Sequence, residues 1–259
     1  MKKRPVSDGP IKERPKKERI DKLLADQGLA RSRTHAQALI MAGQVCVGDS
    51  LVKKPSEEFP LETPFRLKSG AAAKYVSRGG EKLEGVLKES GLNPRGLDAL
   101  DIGISTGGFT DCLLQFGAKS IIGIDVGHNQ LAWKLRNEPR LKAFEGINAR
   151  AIPAEVVANP VDLIVIDVSF ISLSLILPEA VKFLKESGHV IALIKPQFEV
   201  KREQVGKGGI VKDSLLHEEV QEKIRAICKE LGLKEIRTFP SPLRGTDGNK
   251  EFFIFAHRS

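Results

Sequence analysis

A strand, a tight turn and a helix follow one another directly at residues 97–116, and this succession constrains the fold most. Residues 97–102 alternate and end like a buried strand, the small residues at 103–108 predict a tight turn, and residues 109–116 have the pattern of a helix. A glycine turn between a strand and a helix N-terminus is how α/β proteins hold nucleotide-like cofactors. The turn alone also fits an ordinary connection between a strand and a helix.

Two acids near this turn indicate which cofactor it would hold. A dinucleotide fingerprint requires glycine at position 105, and this chain has Ser105 there. Asp101, just before the turn, would repel phosphate but suits an amino group or a sulfonium. Asp125 ends the next strand, where an acid can hold both ribose hydroxyls. Together these residues favour S-adenosylmethionine over NAD.

The predicted cofactor residues lie on the turn, beside it and at the ends of the next two strands. They are Asp101, Gly103, Ser105, Thr106, Gly107, Gly108, Phe109 and Asp125, with Asn148 as a candidate adenine partner. An Asn in such a place more often only caps a turn.

Strands and helices alternate after residue 75. Strands are predicted at 97–102, 120–125, 141–147, 161–166, 188–194, 234–239 and 251–256, and helices at 82–90, 106–117, 128–137, 172–185 and 213–231. Such alternation gives a mostly parallel sheet with helices on both faces. The connection at 240–250 has no room for a helix, so the last two strands should pair antiparallel. We therefore predict an α/β fold with the seven-stranded, Rossmann-like sheet of class I methyltransferases, plus a small N-terminal α+β domain.

Positive charge is concentrated in the first part of the chain. Residues 1–75 hold 16 Lys+Arg against 9 Asp+Glu, whereas residues 76–259 hold 25 against 24. A basic N-terminal part attached to a nearly neutral remainder of the chain predicts a polyanionic partner, and nucleic acid fits best. We predict a disordered basic tail at 1–17, an RNA-binding domain at 18–67, a linker at 68–74 and a catalytic domain at 75–259.

Cysteine usage and hydropathy predict a cytoplasmic protein. Cys46, Cys112 and Cys228 are far apart and lack CxxC spacing, which argues against a disulfide framework and a zinc site. The N-terminus is charged and has no apolar h-region. The most apolar run, 161–181, contains two aspartates and a proline, so it fits a buried strand and a helix better than a membrane span.

The basic N-terminal part contains a helix pair followed by short strands. Helices are predicted at 19–27 and 33–42, with Ser32 as the N-cap and Gly43 as the terminator of the second, and strands at 45–47, 51–52 and 65–67. The pattern from Ser32 to Gly48 resembles the S4-like RNA-binding module of a ribosomal protein, pseudouridine synthases and aminoacyl-tRNA synthetases. The resemblance implies recognition of RNA shape by the basic residues around the helix pair: Arg19, Lys22, Arg31, Arg33 and His35.

Four charged residues are expected at the rim where the parallel strands end, which is where α/β sheets place reactive groups. Asp167 and Lys195 each follow an apolar strand directly, Glu251 opens the final strand, and Lys82 lies in a helical turn after Gly79-Gly80. Lys82 alone would be read as a surface lysine. Asp167, with Ser169, could equally be a helix N-cap.

Five motifs together resemble the TlyA family, which joins an S4-like domain to an FtsJ-like ribose methyltransferase domain. The motifs lie at 78–83, 105–111, 167–170, 195–199 and 248–251, and the resemblance extends from about residue 18 to 256. It implies 2′-O-methylation of cytidines in ribosomal RNA with S-adenosylmethionine, although members are often labelled haemolysins. It also implies a catalytic tetrad that maps onto Lys82, Asp167, Lys195 and Glu251.

Two loops, 201–212 and 241–250, are candidates for closing on RNA, with Arg78 and Arg244 as further RNA contacts.

The proposed reaction needs in-line positioning and a group that takes or stabilises charge, but no metal. Lys195 is expected to contact the ribose 2′-oxygen, either as a base or as an electrostatic clamp. A free lysine keeps its ammonium proton up to about pH 10.4, so both roles stay open. Asp167 is expected to orient Lys195 and to face the sulfonium, and Glu251 to orient either lysine.

Other classes of protein fit less well. A base amino-methyltransferase would carry two prolines where this chain has Val168 and Ser169, and a pseudouridine synthase would lack the cofactor turn. A haemolysin-type membrane-active protein would need an exposed apolar segment that is free of the core. A protein that only binds RNA, without methyl transfer, remains the other alternative. The sequence does not indicate an oligomeric state.

Overall fold

The computed structural model describes residues 16–30, 32–48, 50–67, 74–245 and 247–259. These residues form two compact units, one ending at residue 67 and the other beginning at residue 74. Most of the predicted tail and linker, residues 1–15 and 68–73, lies outside the described residues. Lys17, expected in the tail, instead opens the first strand, because it pairs with Pro60.

The first unit packs two helices against short strands. Its elements are β1 (Lys17–Arg19), α1 (Ile20–Asp26), α2 (Arg33–Met41), β2 (Val45–Val47), β3 (Ser50–Leu51), β4 (Glu58–Pro60) and β5 (Phe65–Leu67). β1 pairs with β4, and β2 lies between β3 and β5, all antiparallel. Ser32 caps α2 as predicted, since its hydroxyl accepts the His35 N–H at 3.1 Å. The apolar faces of both helices form the core of this unit.

The second unit is built on a seven-stranded sheet. Its elements are α3 (Arg78–Ser90), β6 (Asp98–Ile102), α4 (Gly108–Gln115), β7 (Ser120–Asp125), β8 (Leu141–Glu145), β9 (Val161–Ile166), α5 (Leu173–Ala180), β10 (Leu184–Ile194), α6 (Ser214–Glu230), β11 (Leu233–Pro240) and β12 (Phe252–Arg258). The strand order is β11-β12-β10-β9-β6-β7-β8, and β12 runs antiparallel to both of its neighbours. The predicted α/β, Rossmann-like, seven-stranded fold is thus confirmed.

The sheet is buried on both faces, which explains its apolar central strands. Along β9, Leu163 and Val165 join one apolar core, while Ile164 and Ile166 join the core on the opposite face. The strand order reverses between β6 and β9, so the crevice at their carboxyl ends is where α/β proteins bind ligands. None of the described helices is both long and apolar enough to span a membrane.

Two predicted helices differ from the structure. The helix expected at 128–137 is absent except for a 3₁₀ turn at Trp133–Leu135, because Leu131 and Leu135 pack over Gly107 instead of lying on a helix face. Asn129, inside the expected helix, has a left-handed φ of 58°. The helix expected at 172–185 ends at Ala180, and β10 already begins at Leu184.

Candidate active site

The carboxyl ends of β6, β7 and β9 surround an open pocket. Its volume is about 840 Å³, which lies within the roughly 300–1,000 Å³ typical of small-molecule sites. Among the predicted site residues, those that line it are Gly103, Ser105, Asp125, Asn148 and Asp167. The pocket therefore lies in the crevice that the strand order predicts.

Gly103 makes the contact between the turn and the end of β9. Its φ is +86°, and a Cβ atom there would lie 2.4 Å from the carbonyl oxygen of Asp167. The Asp167 N–H also donates to the Ile102 carbonyl oxygen at 2.9 Å. Only glycine allows this approach, and the approach brings Asp167 next to the turn.

Asp125 is oriented by two backbone amides. Its Oδ2 accepts the Ser105 N–H at 2.8 Å, and its Oδ1 accepts the Gly127 N–H at 2.7 Å. Ser105 has a left-handed φ of 45°, which turns its N–H towards the carboxylate. Each carboxylate oxygen can accept a further hydrogen bond, so Asp125 has capacity for two hydroxyl groups. Asn148 accepts the Arg150 N–H at 3.0 Å and so caps a turn while lining the pocket.

Four predicted cofactor residues in and after the turn do not line the pocket. Gly107 and Gly108 pack against Leu135 and Ser77, and Thr106 is exposed beside them. The ring of Phe109 lies in the core, 6.1 Å from that of Phe253. These positions correct the expectation that all the turn residues face the cofactor.

Asp101 is also away from the pocket surface. It is fully buried, and its Oδ2 accepts the Thr110 hydroxyl at 2.6 Å, between β6 and α4. Burial, with a smaller contribution from the Asp167 carboxylate, raises the pKa of Asp101 to about 7. The expectation that this side chain faces a sulfonium is corrected, because it points into the protein interior.

Lys82 and Glu251 form a buried ion pair. Lys82 Nζ lies 2.5 Å from Glu251 Oε2, and the two residues are only 8% and 4% exposed. Lys82 lies on the buried face of α3, and Glu251 immediately precedes β12. Burial raises the pKa of Glu251 above its ordinary value, and the Lys82 hydrogen bond opposes that shift.

Lys195 and Asp167 form a second pair, at the pocket wall. Lys195 Nζ lies 2.6 Å from Asp167 Oδ1 and donates to Ser169 Oγ at 2.9 Å. Asp167 and Ser169 both line the pocket. Ile194 pairs with Phe252 across β10 and β12, so Lys195 and Glu251 lie at the same end of these two strands. The four residues of the predicted tetrad thus lie at one end of the sheet.

Close glycine contacts position α3 and its Lys82. A Cβ atom on Gly108 would lie 2.1 Å from Ser77 Oγ and 3.0 Å from the Gly80 nitrogen. A Cβ atom on Gly80 would overlap the Tyr75 ring. The first turn of α3 therefore rests directly on the first turn of α4. Arg78 adds a hydrogen bond to the Arg244 carbonyl oxygen at 2.8 Å.

In the first unit, a buried acid holds two of the predicted RNA-binding arginines. Asp21 is fully buried and accepts hydrogen bonds from Arg19 at 2.9 Å and Arg33 at 3.3 Å. These contacts, led by Arg19, hold the pKa of Asp21 well below its usual range. Lys22 pairs with Glu18. Arg31 lies outside the described residues, and the His35 amide takes part in the α2 cap.

Sequence reasoning gave no role to three residues at this site. Phe170 is 89% exposed with a left-handed φ of 64°, and its ring lies 5.0 Å from that of Phe198. Both rings line the pocket, as does Ser169. All three residues belong to motifs that the sequence already singled out. Among the described residues, no group of three or more His, Cys, Asp or Glu could hold a metal ion.

Comparison with known proteins relates both units to characterised families. The FtsJ-like methyltransferase family matches residues 75–258, and the S4 domain matches residues 18–61. The chain is 40% identical to the "16S/23S rRNA (cytidine-2'-O)-methyltransferase TlyA" of Mycobacterium tuberculosis, over 92% of this chain and 88% of that one. It is 42% identical to "Hemolysin A" of Brachyspira hyodysenteriae, over 90% and 97% of the two chains.

A solved structure from Streptococcus thermophilus that carries a hemolysin name has the same architecture. It superposes with a TM-score of 0.73 at 43% sequence identity and covers 94% of this chain and 89% of that one. The similarity therefore includes both units.

Proposed function

Because this chain belongs to the TlyA family of FtsJ-like methyltransferases, we propose that it methylates the ribose 2′-hydroxyl of a cytidine in ribosomal RNA. The methyl donor is S-adenosylmethionine, whose sulfonium supplies an already activated methyl group. The observation that carries the proposal is the Lys195–Asp167 pair at the wall of the pocket that Gly103 and Asp125 line. The protein acts in the cytoplasm on ribosomal RNA or ribosomal subunits.

The cofactor would be held in the pocket beside the turn. Asp125 would hold the two ribose hydroxyls, because both its oxygens are oriented by backbone amides and can each accept another hydrogen bond. Gly103 and Ser105 line the adjoining wall, and Asn148, which also lines the pocket, would contact the adenine. Gly107, Gly108 and Phe109 pack behind this wall, with Thr106 exposed beside them and Asp101 buried beneath.

Lys195 acts as an electrostatic clamp on the ribose oxygen. An ammonium group has three N–H donors; one donates to Ser169 Oγ, and Asp167 Oδ1 lies 2.6 Å away as the ion-pair partner. Another N–H can donate to the 2′-oxygen at the pocket. Asp167 orients Lys195, and an ammonium held in place by the protein can stabilise charge that develops on the oxygen.

The buried pair Lys82–Glu251 helps to hold Lys195 and Asp167 in position. Lys82 and Glu251 are too enclosed to meet a nucleotide directly, at 8% and 4% exposure. Glu251 nevertheless lies at the same end of the paired strands β10 and β12 as Lys195. We assign them to positioning the rim rather than to contact with the reacting atoms.

The exposed side chain of Phe170 and the half-buried one of Phe198 suit the base of the target nucleotide. An aromatic ring is seldom left 89% exposed without a partner, and stacking a base on such a ring contributes about 1–3 kcal/mol.

The basic residues of the S4 domain and Arg78 and Arg244 of the second unit would contact the RNA backbone, which carries the salt-dependent part of affinity.

The test is the chemistry of the product. The protein is incubated with labelled S-adenosylmethionine and separated small or large ribosomal subunits, and the RNA is digested to nucleosides. We expect label in 2′-O-methylcytidine and one phosphodiester that resists alkaline cleavage. Label on a base, or no label in either subunit, would contradict the proposal.

A matched pair of lysine variants controls this experiment. Lys195 and Lys185 lie at opposite ends of β10, and each pairs with an aspartate at the corresponding end of β9. Lys195→Ala should abolish labelling, whereas Lys185→Ala should leave it unchanged. Equal labelling by both variants would contradict the role of Lys195.

A further inference from the structure

Asn249 is fully buried, and all of its side-chain polar atoms are hydrogen-bonded. Its Oδ1 accepts the Val211 N–H at 2.9 Å, and its Nδ2 donates to the Gly209 carbonyl oxygen and to Asp247 Oδ2, both at 2.8 Å. Its own backbone N–H donates to Asp247 Oδ1 at 3.2 Å. A buried amide with every bond satisfied fixes the segments that it joins.

Two of these bonds reach the segment at 201–212, here called the basic loop. Lys201, Arg202, Lys207 and Lys212 are all exposed on it, with Glu203 as its one acid. Gly209 and Val211, the partners of Asn249, lie near its end. Asn249 therefore anchors a positively charged surface that suits the phosphates of RNA.

Other contacts of this turn reach the neighbours of the tetrad. Asn249 lies two residues before Glu251, and Gly245 donates its N–H to the Asn249 carbonyl oxygen at 2.9 Å. A Cβ atom on Gly245 would lie 2.8 Å from Glu251 Oε1, so this turn packs directly on the Glu251 carboxylate. Asp247 also accepts a hydrogen bond from Gln197, two residues after Lys195, at 3.3 Å. The segments that carry Glu251 and Lys195 thus meet at Asp247 and Asn249.

We infer that Asn249 is a positioning residue that couples the basic loop to the tetrad, so that one hydrogen-bonded unit sets both RNA contact and the Lys82–Glu251 geometry. This inference rests on the proposed function. A side chain that only stabilised its own loop would affect folding, but it would not affect RNA half-saturation and the rate at saturation together.

An exchange of the two side chains tests the coupling. Asn249→Asp keeps the shape and the acceptor for Val211, but it removes both donated bonds and sets two carboxylates against each other. The double variant Asp247→Asn/Asn249→Asp restores the bond between positions 247 and 249 with reversed polarity, but it lacks the bonds to Gly209 and from Gln197. Both are full-length proteins, compared with the wild type in single-turnover methylation of ribosomal subunits.

For Asn249→Asp we expect about a tenfold slower rate at saturating RNA and about a threefold higher half-saturation concentration, the signature of lost positioning plus lost binding. The affinity for S-adenosylhomocysteine should match the wild type, whereas the melting temperature should fall, because the new carboxylate is buried beside Asp247. The double variant should recover part of both kinetic losses. Kinetics within twofold of the wild type for Asn249→Asp, or no recovery in the double variant, would overturn the inference, as would loss of cofactor affinity together with the melting temperature.

Asp247→Ala provides a second test if Asn249→Asp does not fold. Asp247 is exposed, so its truncation should leave folding intact while it removes the bonds to Asn249 and Gln197. We expect a loss of about threefold to tenfold in the same two kinetic parameters, and an unchanged enzyme would overturn the inference. Wild-type methylation in the same assay separates the two proposals, because an inactive wild type would contradict the proposed function instead.

Discussion

The two lysine–carboxylate pairs have the same chemistry but different surroundings. The side chains of the two lysines are equally enclosed, at 11% for Lys82 and 12% for Lys195, but that of Glu251 is 3% exposed and that of Asp167 is 24% exposed at the pocket wall. Two charges removed from water depend on each other, and separating them is costly. An acid at a pocket wall keeps contact with water and can meet a substrate. We therefore predict that the pair with the enclosed acid holds geometry and the pair with the open acid meets the substrate.

Breaking the enclosed pair should give the largest loss of stability. Glu251→Leu leaves the Lys82 ammonium buried without its partner, and we expect the free energy of unfolding in urea to fall by about 3–5 kcal/mol. Lys195→Met should lower it by less, because the Asp167 carboxylate that it leaves unpaired is partly open to the water of the pocket. The double variant Lys82→Met/Glu251→Leu should recover most of the loss. Equal losses for Glu251→Leu and Lys195→Met would remove the distinction between the pairs.

Breaking the Lys195–Asp167 pair should reduce activity more than stability. Lys195→Met should slow methyl transfer at saturating cofactor and RNA by about 10²–10³-fold, the usual effect of removing one preorganised donor from a developing charge. Its affinity for S-adenosylhomocysteine, measured by calorimetry, should remain within twofold. Near-normal turnover would exclude Lys195 from contact with the ribose oxygen.

Asp101 sharpens the comparison, because it is buried like Glu251 but its hydrogen bond comes from a hydroxyl and not from a lysine. Its pKa of about 7 in the folded protein exceeds the value of about 3.9 for a free aspartate, so the folded state binds more protons between these values. Its contribution to stability is therefore present at low pH and is lost as pH rises towards 7.

Asp101→Asn should remove this dependence. The difference in unfolding free energy between wild type and variant should shift by about 2 kcal/mol, against the wild type, from pH 5 to pH 7. Urea unfolding followed by circular dichroism at both pH values measures it. A difference that does not change with pH would show that Asp101 stays ionised.

Ser169→Ala is expected to have the smallest effect. It removes one of the two contacts of Lys195 and leaves the ion pair with Asp167. A hydrogen bond from a charged donor contributes about 1.5 kcal/mol or somewhat more, so methyl transfer should slow by roughly tenfold. A loss as large as that of Lys195→Met would instead place Ser169 in direct contact with the substrate.

Much of the second unit follows from its sequence, because strand ends and helix starts leave local signals. Apolar runs that end in Asp167 or Lys195 predicted both the strands and the edge where these residues meet. The helix expected at 128–137 was wrong, since Leu131 and Leu135 pack on Gly107, a contact between segments distant in sequence. Periodicity within one segment carries no information on such contacts.

The sequence also left open which acid pairs with which lysine, and it did not predict that the Asp101 side chain points into the protein interior. Glu251 could have paired with either lysine, and only the packing of α3 against α4 brings Lys82 to it. Asp101 was expected at the pocket because it precedes the turn. Successive side chains of a strand, however, point to opposite faces of the sheet. Asp21 was missed because a single acid beside basic residues gives no signal of burial.

The contact between Gly80 and Gly108 links two parts of the enzyme that would otherwise be treated as separate. Gly108 belongs to the cofactor turn, and Gly80 belongs to the helix that carries Lys82. A Cβ atom on Gly108 would lie only 3.0 Å from the backbone nitrogen of Gly80. A single added methyl group at Gly108 would act as a wedge and tilt that helix away from the sheet. Redesign of this enzyme for another methyl donor would therefore have to rebuild both segments together.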